Sequence, residues 1–354
     1  MFKNRLRQTT WIDVLLILAQ ITVLVVIGVG LFNTIRTGSY SIAQWATLVF
    51  AGLAQGSIYA LIALGYTLVY GILLMINFAH GEVYMAGAFS AVFLAHSFDR
   101  SGFLNGSPLA AILILIVFSA GVSTGIALLL ERIAYRPLRN APRLIPLITA
   151  IGASFTLQYT FRGLYGTQFR AYPTIGWLNE TWTIFGFVVP RVQPVVFVSA
   201  LALMFGLYLF VERTKTGKAM RAVSEDKDVA RLMGIDIDKV IVSTFALGGA
   251  LAGAAGIFNG LFRPAGVWYY MGFFPGIKAF TAAVLGGIGS IPGAMIGGLL
   301  LGLIESIGPN AILEGLGIPG ANQLKDAIAF TILVLILIFR PQGIFGERLA
   351  EKKA

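Results

Sequence analysis

Apolar runs of about 20 residues recur along this chain, each long enough to cross a hydrocarbon core about 30 Å thick at 1.5 Å per residue. They lie near residues 12–32, 44–69, 77–96, 109–131, 144–162, 194–211, 240–262, 277–290, 293–307 and 323–339. Such a pattern predicts an all-α integral membrane protein, a polytopic bundle of about 8–10 transmembrane segments, because a spanning segment must satisfy its backbone hydrogen bonds internally. Composition agrees: 57% of residues are hydrophobic and 12% charged, against roughly a quarter charged in soluble domains. Cysteine is absent and only His80 and His96 are present. Disulfides, thiolate metal sites and cysteine nucleophiles are thereby excluded, and no metal or cofactor is expected.

The net charge of +10 does not mark a nucleic-acid binder, because the basic residues sit in short clusters between apolar runs. That is the positive-inside pattern. Lys3, Arg5 and Arg7 precede the first run, Arg132, Arg136, Arg139 and Arg143 fill one connection beside Glu131, and Arg340, Arg348, Lys352 and Lys353 follow the last run. Both termini and these connections are expected to be cytoplasmic. Parity then places 33–43, 97–108, 163–193, 263–275 and 308–322 outside. The first run is too long for a signal-peptide core and no Ala-x-Ala-like site follows it, so it reads as a retained helix.

Parity also demands two passes between 277 and 307. The apolar run there is broken by "GGIGSIPG", and each piece of about 14 residues is short for a crossing, so discontinuous helices are expected. Gly286, Gly287, Gly289 and Ser290 become candidates for a pathway or gate. A weak echo lays "FAHGEVYMAGA", Phe78–Ala88, on "FFPGIKAFTAA", Phe273–Ala283, with a glycine at the fourth position of each. Inverted repeats and chance similarity both account for it. Glycines four residues apart, at 289, 293 and 297, at 298 and 302, and at 249 and 253, predict close helix packing.

Polar groups amid this apolar background carry the remaining functional signal. "INFAHGE" places Asn77, His80 and Glu82 within six residues. Two readings stand: a pathway or gating role, since ionisable groups at membrane depth are functional by default, and a helix start near the inner face capped by Asn77. Lys278 and Glu305 either snorkel to an interface or contact a substrate. The one long charged stretch inside the bundle, Glu212–Val240, holds seven basic and five acidic residues between Arg213 and Lys239. Its small and apolar residues, Ala219, Ala222, Val223, Ala230, Leu232 and Met233, recur with helical spacing. A short amphipathic helix beneath the membrane follows, bearing a face for another protein or lying as a solvated loop.

This charged stretch resembles the cytoplasmic coupling loop of ABC importer permeases. "GSIYALIALGYTLVYGILLMINFAHGEVYMAGA", Gly56–Ala88, "ERIAYRPLRNAPRLIPLITAIG", Glu131–Gly152, and "GIKAFTAAVLGGIGSIPGAMIGG", Gly276–Gly298, are similar to LivH-type permeases of the high-affinity branched-chain amino acid importer family. The likeness runs over nearly the whole chain from about residue 45. It implies a permease domain at 44–340 with its coupling loop at 212–239, flanked by an additional helix within 1–43 and a tail at 341–354. It also implies a bacterial inner-membrane location, two cytoplasmic ATPase subunits, a second related permease and a periplasmic solute-binding protein, with lipid around the bundle. Carried onto this chain, the ATPase-coupling positions are Gly217, Arg221, Ala222, Glu225, Asp226, Ala230, Gly234 and Ile235. No Gly-x4-Gly-Lys-Ser/Thr phosphate loop occurs, so ATP hydrolysis is expected in the partners. Within the same class, permeases for urea, short amides or another amino acid share these motifs. A secondary transporter or channel would also use broken helices, but few intramembrane acids are present to carry a coupling ion.

Overall fold

The computed structural model describes residues 11–345 apart from 140, 143, 185, 264 and 341. Lys3, Arg5, Arg7, Arg143, Arg348, Lys352 and Lys353 lie outside the described residues, as do most of the tail at 341–354 and the first ten residues. Each of the ten apolar runs forms a helix: α1 Trp11–Thr37, α2 Ile42–Leu73, α3 His80–Arg100, α4 Pro108–Leu130, α5 Leu144–Tyr165, α6 Val192–Arg213, then, past two short helices α7 Lys215–Glu225 and α8 Lys227–Leu232, α9 Ile237–Phe262, α10 Phe273–Gly286, α11 Ile291–Gly308 and α12 Lys325–Phe339. Eight helices among the described residues are long and apolar enough to cross a membrane. The other two of the ten are α3, whose ends are polar, and α10, with 14 residues. The expected all-helical character has one exception, a hairpin of β1 Thr181–Ile184 and β2 Phe187–Pro190 in the 163–193 connection.

At its centre stands α2, started by a capping box in which Ser41 and Gln44 satisfy each other's backbone. Its 32 residues span about 48 Å, and the stretch from Ala54 to Val69 is buried. Such encirclement requires small residues where neighbours cross. A side chain on Gly302 of α11 would meet the Gly56 backbone of α2, and one on Gly298 would meet Ala60. Gly249 and Gly253 of α9 likewise lie against the backbone of α4, where Ser119 Oγ donates to the Gly253 carbonyl at 2.7 Å. The four-residue glycine spacings thus mark helix contacts at 298/302 and 249/253. Gly289 is different: its φ of 98° sets it in a turn with nothing near. Replacing it tests backbone conformation and not packing.

Hydrogen bonds sort the connections into two opposite groups. On one end, Tyr40 Oη donates to Asn310 Oδ1 at 3.2 Å, His96 Nε2 meets the Ala171 carbonyl at 3.1 Å, and Arg170 pairs with Val267. On the other, Arg136 bonds Asp238 at 3.0 Å, and the Ile344 amide donates to the Leu285 carbonyl at 2.8 Å. This grouping follows the alternation expected from parity. Among the described residues, the first helix is tied to the bundle by hydrogen bonds in its last turns, where Thr34 Oγ1 donates to the Ala311 carbonyl at 3.0 Å and Asn33 to that of Gly315 at 3.1 Å. Much of its remaining surface, including Ile17, Leu24 and Phe32, is exposed, so α1 is an addition to the flank of a bundle that closes without it.

Substituting Gly302 by Leu is expected to cost at least about 1–3 kcal/mol, because the added carbons meet backbone that cannot rotate away. Gly125→Ala, with no atom within 4 Å of its added methyl, should be neutral or stabilising by about 0.5–1 kcal/mol. Thermal unfolding of the two variants in detergent checks both.

Candidate functional site

Two helices of this bundle begin inside it. At the end of α2, Leu74 adopts φ 55°, the one non-glycine residue with positive φ among those described, and the chain runs irregularly to Ala79 before α3 starts at His80. Similarly, the segment after Phe262 is irregular until α10 starts at Phe273. The two starts abut: a Cβ on Gly276 would lie 3.1 Å from Gly81 Cα and 3.4 Å from Tyr66 Oη. Gly81 and Gly276 are the glycines aligned in the echo between 78–88 and 273–283. From this junction the helices diverge, α3 toward the end that carries Ala171 and α10 toward the end that carries Ile344.

The junction lies at mid-depth. Glu82, in the first turn of α3, accepts from Ser154 Oγ at 3.3 Å and Gln158 Nε2 at 2.7 Å, and Ser154 is in the middle of α5. Next to it His80 packs against Gly65 and Gly248, with its ring 5.1 Å from that of Tyr66. The expectation that "INFAHGE" sits near the inner face is therefore corrected for His80 and Glu82: the chain turns back into the bundle after Leu73, and Asn77, His80 and Glu82 are 1–2% exposed, with Asn77 left beside Tyr135 of the 131–139 connection. Capping by Asn77 is also corrected. The N-cap position is Ala79, without a side-chain bond, and Asn77 Oδ1 instead accepts from Tyr135 Oη at 2.6 Å. A cavity of about 240 Å³ borders Glu82, lined by Tyr66, Phe78, Ile151, Phe155, Phe273 and Ile277 among others.

A second polar centre lies across α10. Lys278 Nζ contacts Glu305 Oε1 and Asp326 Oδ1, each at 2.5 Å, and Tyr59 Oη at 3.4 Å. The Lys278 and Glu305 side chains are 4% and 6% exposed. Snorkelling is thus corrected for both, since each side chain is buried and Glu305 on α11 pairs with the lysine there, while Asp326, at the start of α12, is 47% exposed. Around this trio a cavity of about 250 Å³ is also bordered by Arg263 and Asn259. The network ties the discontinuous α10 to two neighbours.

At the glycine break, α10 ends with Gly286, and Gly287 and Gly289 take φ of 105° and 98°, which glycine tolerates and other residues resist. Ser290 caps α11, accepting from the Gly293 amide at 3.1 Å. Amides of Ile344 and Phe345 donate to the carbonyls of Leu285 and Gly286 at 2.8 and 2.9 Å, so the chain after α12 covers the polar backbone freed by the break. Gly286, Gly287, Gly289 and Ser290 border neither the Glu82 nor the Lys278 cavity; the breaks that reach these cavities are the two before α3 and α10.

Beneath the bundle, the charged stretch forms a helical pair and not the single expected helix. Thr214 caps α7 through the Gly217 amide at 3.0 Å, and Asp226 caps α8 through the amides of Asp228 and Val229 at 2.9 and 3.0 Å. Gly217, Met220, Val223 and Ala230 are turned into the bundle, with Ala222 half-buried, and Arg221 pairs with Glu212 at 2.7 Å. Gly234 at φ 81° ends the pair, and the Ile235 amide returns to the Ala230 carbonyl at 3.1 Å. Glu225 is exposed. Val229, Leu232 and Met233 are 55%, 86% and 78% exposed, an apolar tip on a charged base. Arg139 binds both Glu131 and Asp238, clamping the 131–139 connection to the start of α9. Burial first, and the Arg139 charge second, lower the pKa of Lys227.

Sequence reasoning missed Ser154, Gln158, Tyr135, Arg263 and Asp326. A signal existed for the first two, polar residues four apart on one stripe of an apolar helix. Among the described residues, no group of three His, Asp or Glu side chains is placed to hold a metal ion.

Residues 48–337 match the family described as branched-chain amino acid transport system / permease component. The chain is 45% identical over 310 residues to the high-affinity branched-chain amino acid transport system permease protein BraD of Pseudomonas aeruginosa, covering 85% of this chain and 95% of that one. It is 42% identical over 317 residues to LivH of Escherichia coli K12, described in the same words, covering 86% and 96%. A probable branched-chain amino acid transport permease, LivH of Methanocaldococcus jannaschii, is 30% identical over 314 residues, covering 83% and 90%.

Removing the Lys278 charge strands the buried Glu305. Lys278→Met is expected to destabilise the chain by about 3–5 kcal/mol, and Lys278→Met combined with Glu305→Met by much less, because breaking a buried pair costs more than replacing it. Melting of the single and double variants in detergent measures the difference.

Proposed function

Because the chain belongs to the permease-component family of branched-chain amino acid transport systems, we propose that it is the membrane-spanning permease of an ABC importer that passes leucine, isoleucine and valine across a bacterial inner membrane. In this reading two cytoplasmic ATPase subunits drive it, a second related permease completes the pathway, and a periplasmic solute-binding protein delivers the substrate. The basic connections, including Arg136, Arg139 and the 213–239 stretch, lie on the cytoplasmic side by the positive-inside rule, with both termini.

The observation that carries the proposal is the exposed apolar tip of the α7–α8 pair. Leu232 and Met233 stand in solvent at the end of a doubly capped helical element whose other face is packed on the bundle. Exposed large apolar side chains on an otherwise charged segment mark a protein contact. The base of the element is clamped through Arg139, Asp238 and Glu131, so a displacement imposed at the tip moves the starts of α9 and the end of α4 together. ATP-driven closure of the partners then biases the bundle between two arrangements, as a switch requires. The apolar walls of the cavity beside Glu82 favour an aliphatic side chain over urea or a short amide.

Reconstitution with the ATPases and binding protein tests this: labelled leucine uptake should require ATP hydrolysis and be competed by isoleucine and valine, with alanine weaker and urea without effect. Uptake that persists without any ATPase subunit overturns it. Leu232→Glu with Met233→Glu should abolish ATPase co-purification, a loss of at least about 2 kcal/mol of contact energy, while melting of the permease is unchanged. Those positions separate docking from folding, whereas Asp226 also serves as the cap of α8.

A further inference from the structure

We propose that the cavity beside Glu82 is a transit site that takes the α-ammonium group of an aliphatic amino acid on the free oxygen of that carboxylate; this rests on the importer function proposed above. Glu82 is 1% exposed, and its Oε1 is fixed by Gln158 and Ser154. Oε2 is buried and has no hydrogen-bond partner. Among the described residues, no ion pair involving Glu82 is formed. A carboxylate oxygen held in place inside the bundle and left unpaired is costly unless something occupies it for part of the cycle.

The surroundings define what fits. The adjoining cavity of about 240 Å³ is several-fold larger than the ~30 Å³ share of one water. Ile151, Phe155, Phe273 and Ile277 supply apolar walls, suited to a branched aliphatic side chain. Gly272, Phe273 and Gly276 also border it, which aims the positive end of the α10 dipole at the same space and suits the substrate's own carboxylate. Anion, helix start and apolar wall together match a zwitterion with an aliphatic side chain and match neither urea nor a sugar. Gly81 and Gly272 are required for the arrangement, because a side chain on either would enter the opposite helix start.

The test uses the complete importer in proteoliposomes, with labelled leucine and two truncated competitors: 4-methylpentanoate, which lacks the ammonium, and 3-methylbutylamine, which lacks the carboxylate. Glu82→Gln is expected to lower leucine uptake at least tenfold with complex assembly intact and melting unchanged or raised. Excess amine, added on the side opposite the binding protein, should inhibit the wild type and not the residual uptake of Glu82→Gln, and the acid should inhibit neither. If Glu82→Gln does not assemble, Ile151→Trp decides, since it fills the cavity from a face already exposed and should block uptake in a folded complex. Wild-type uptake by either variant overturns the site, as does carbodiimide coupling of Glu82 to a lysine of the partner permease, which would make the cavity a subunit contact. Absence of ATP-dependent leucine uptake by the wild type overturns the importer reading instead, so the two failures are distinct.

Discussion

The contact of Gly81 with Gly272 and Gly276 is the interaction on which the interior depends. Two helices that start inside a membrane protein expose the unpaired amides of their first turns, and hydrocarbon offers these no partner. Bringing the starts together at mid-bundle, behind α2, α5 and α9, shields them with protein. Glycine at 81 and 272 permits this approach, since a Cβ at either would overlap the opposing backbone, and one at Gly276 would crowd it. Glu82 on one first turn and the cavity at the other are consequences of that contact, and so is the separation of the Glu82 and Lys278 centres to either side of α10.

Around this junction the bundle is held by two kinds of force suited to a solvent that gives apolar contacts little advantage. Small residues let α2 meet α11 and α9 meet α4 with backbones touching, which maximises dispersion contacts. Hydroxyl groups such as Ser119, Ser123 and Thr124 then donate to carbonyls on neighbouring helices. Among the described residues, the buried charges are paired, Lys278 with Glu305 and Glu131 with Arg139, and Glu82 is the buried carboxylate without an ion pair, which is why it stands out as a functional group. In the proposed coupling, mechanical input at Leu232 and Met233 would reach a bundle held by close backbone contacts, a condition for moving helices as bodies.

All ten helices were legible in the sequence, because hydrocarbon thickness imposes a length and an apolar composition that no other constraint mimics. The break at Gly286–Gly293 was legible too, through glycine and Pro292. The break before α3 was not, since "INFAHGE" looks like any short connection between two spans; its depth depends on Leu74 turning the chain inward, a choice made by packing against Gly65 and Gly248. The weight placed on Gly286, Gly287, Gly289 and Ser290 followed the visible break, while the cavities lie at the two breaks that composition leaves unmarked. In the charged stretch, spacing revealed helical character but not which face was buried. Met220, Val223 and Ala230 turned inward and Leu232 and Met233 outward, although all five are equally apolar on paper.

By itself the sequence determined the solvent of this protein, the number of its apolar helices, the alternation of its connections and, through its likeness to known permeases, its family. Those follow from local quantities, namely hydrophobicity per run, charge per connection and residue identity. Tertiary structure alone decided that Glu82 keeps one oxygen free, that Lys278 is bound to Glu305 and Asp326, and that Gly81 meets Gly276. Each of these joins residues between 27 and 195 positions apart, and such contacts arise only when separate helices pack, where shape and not composition selects the partner.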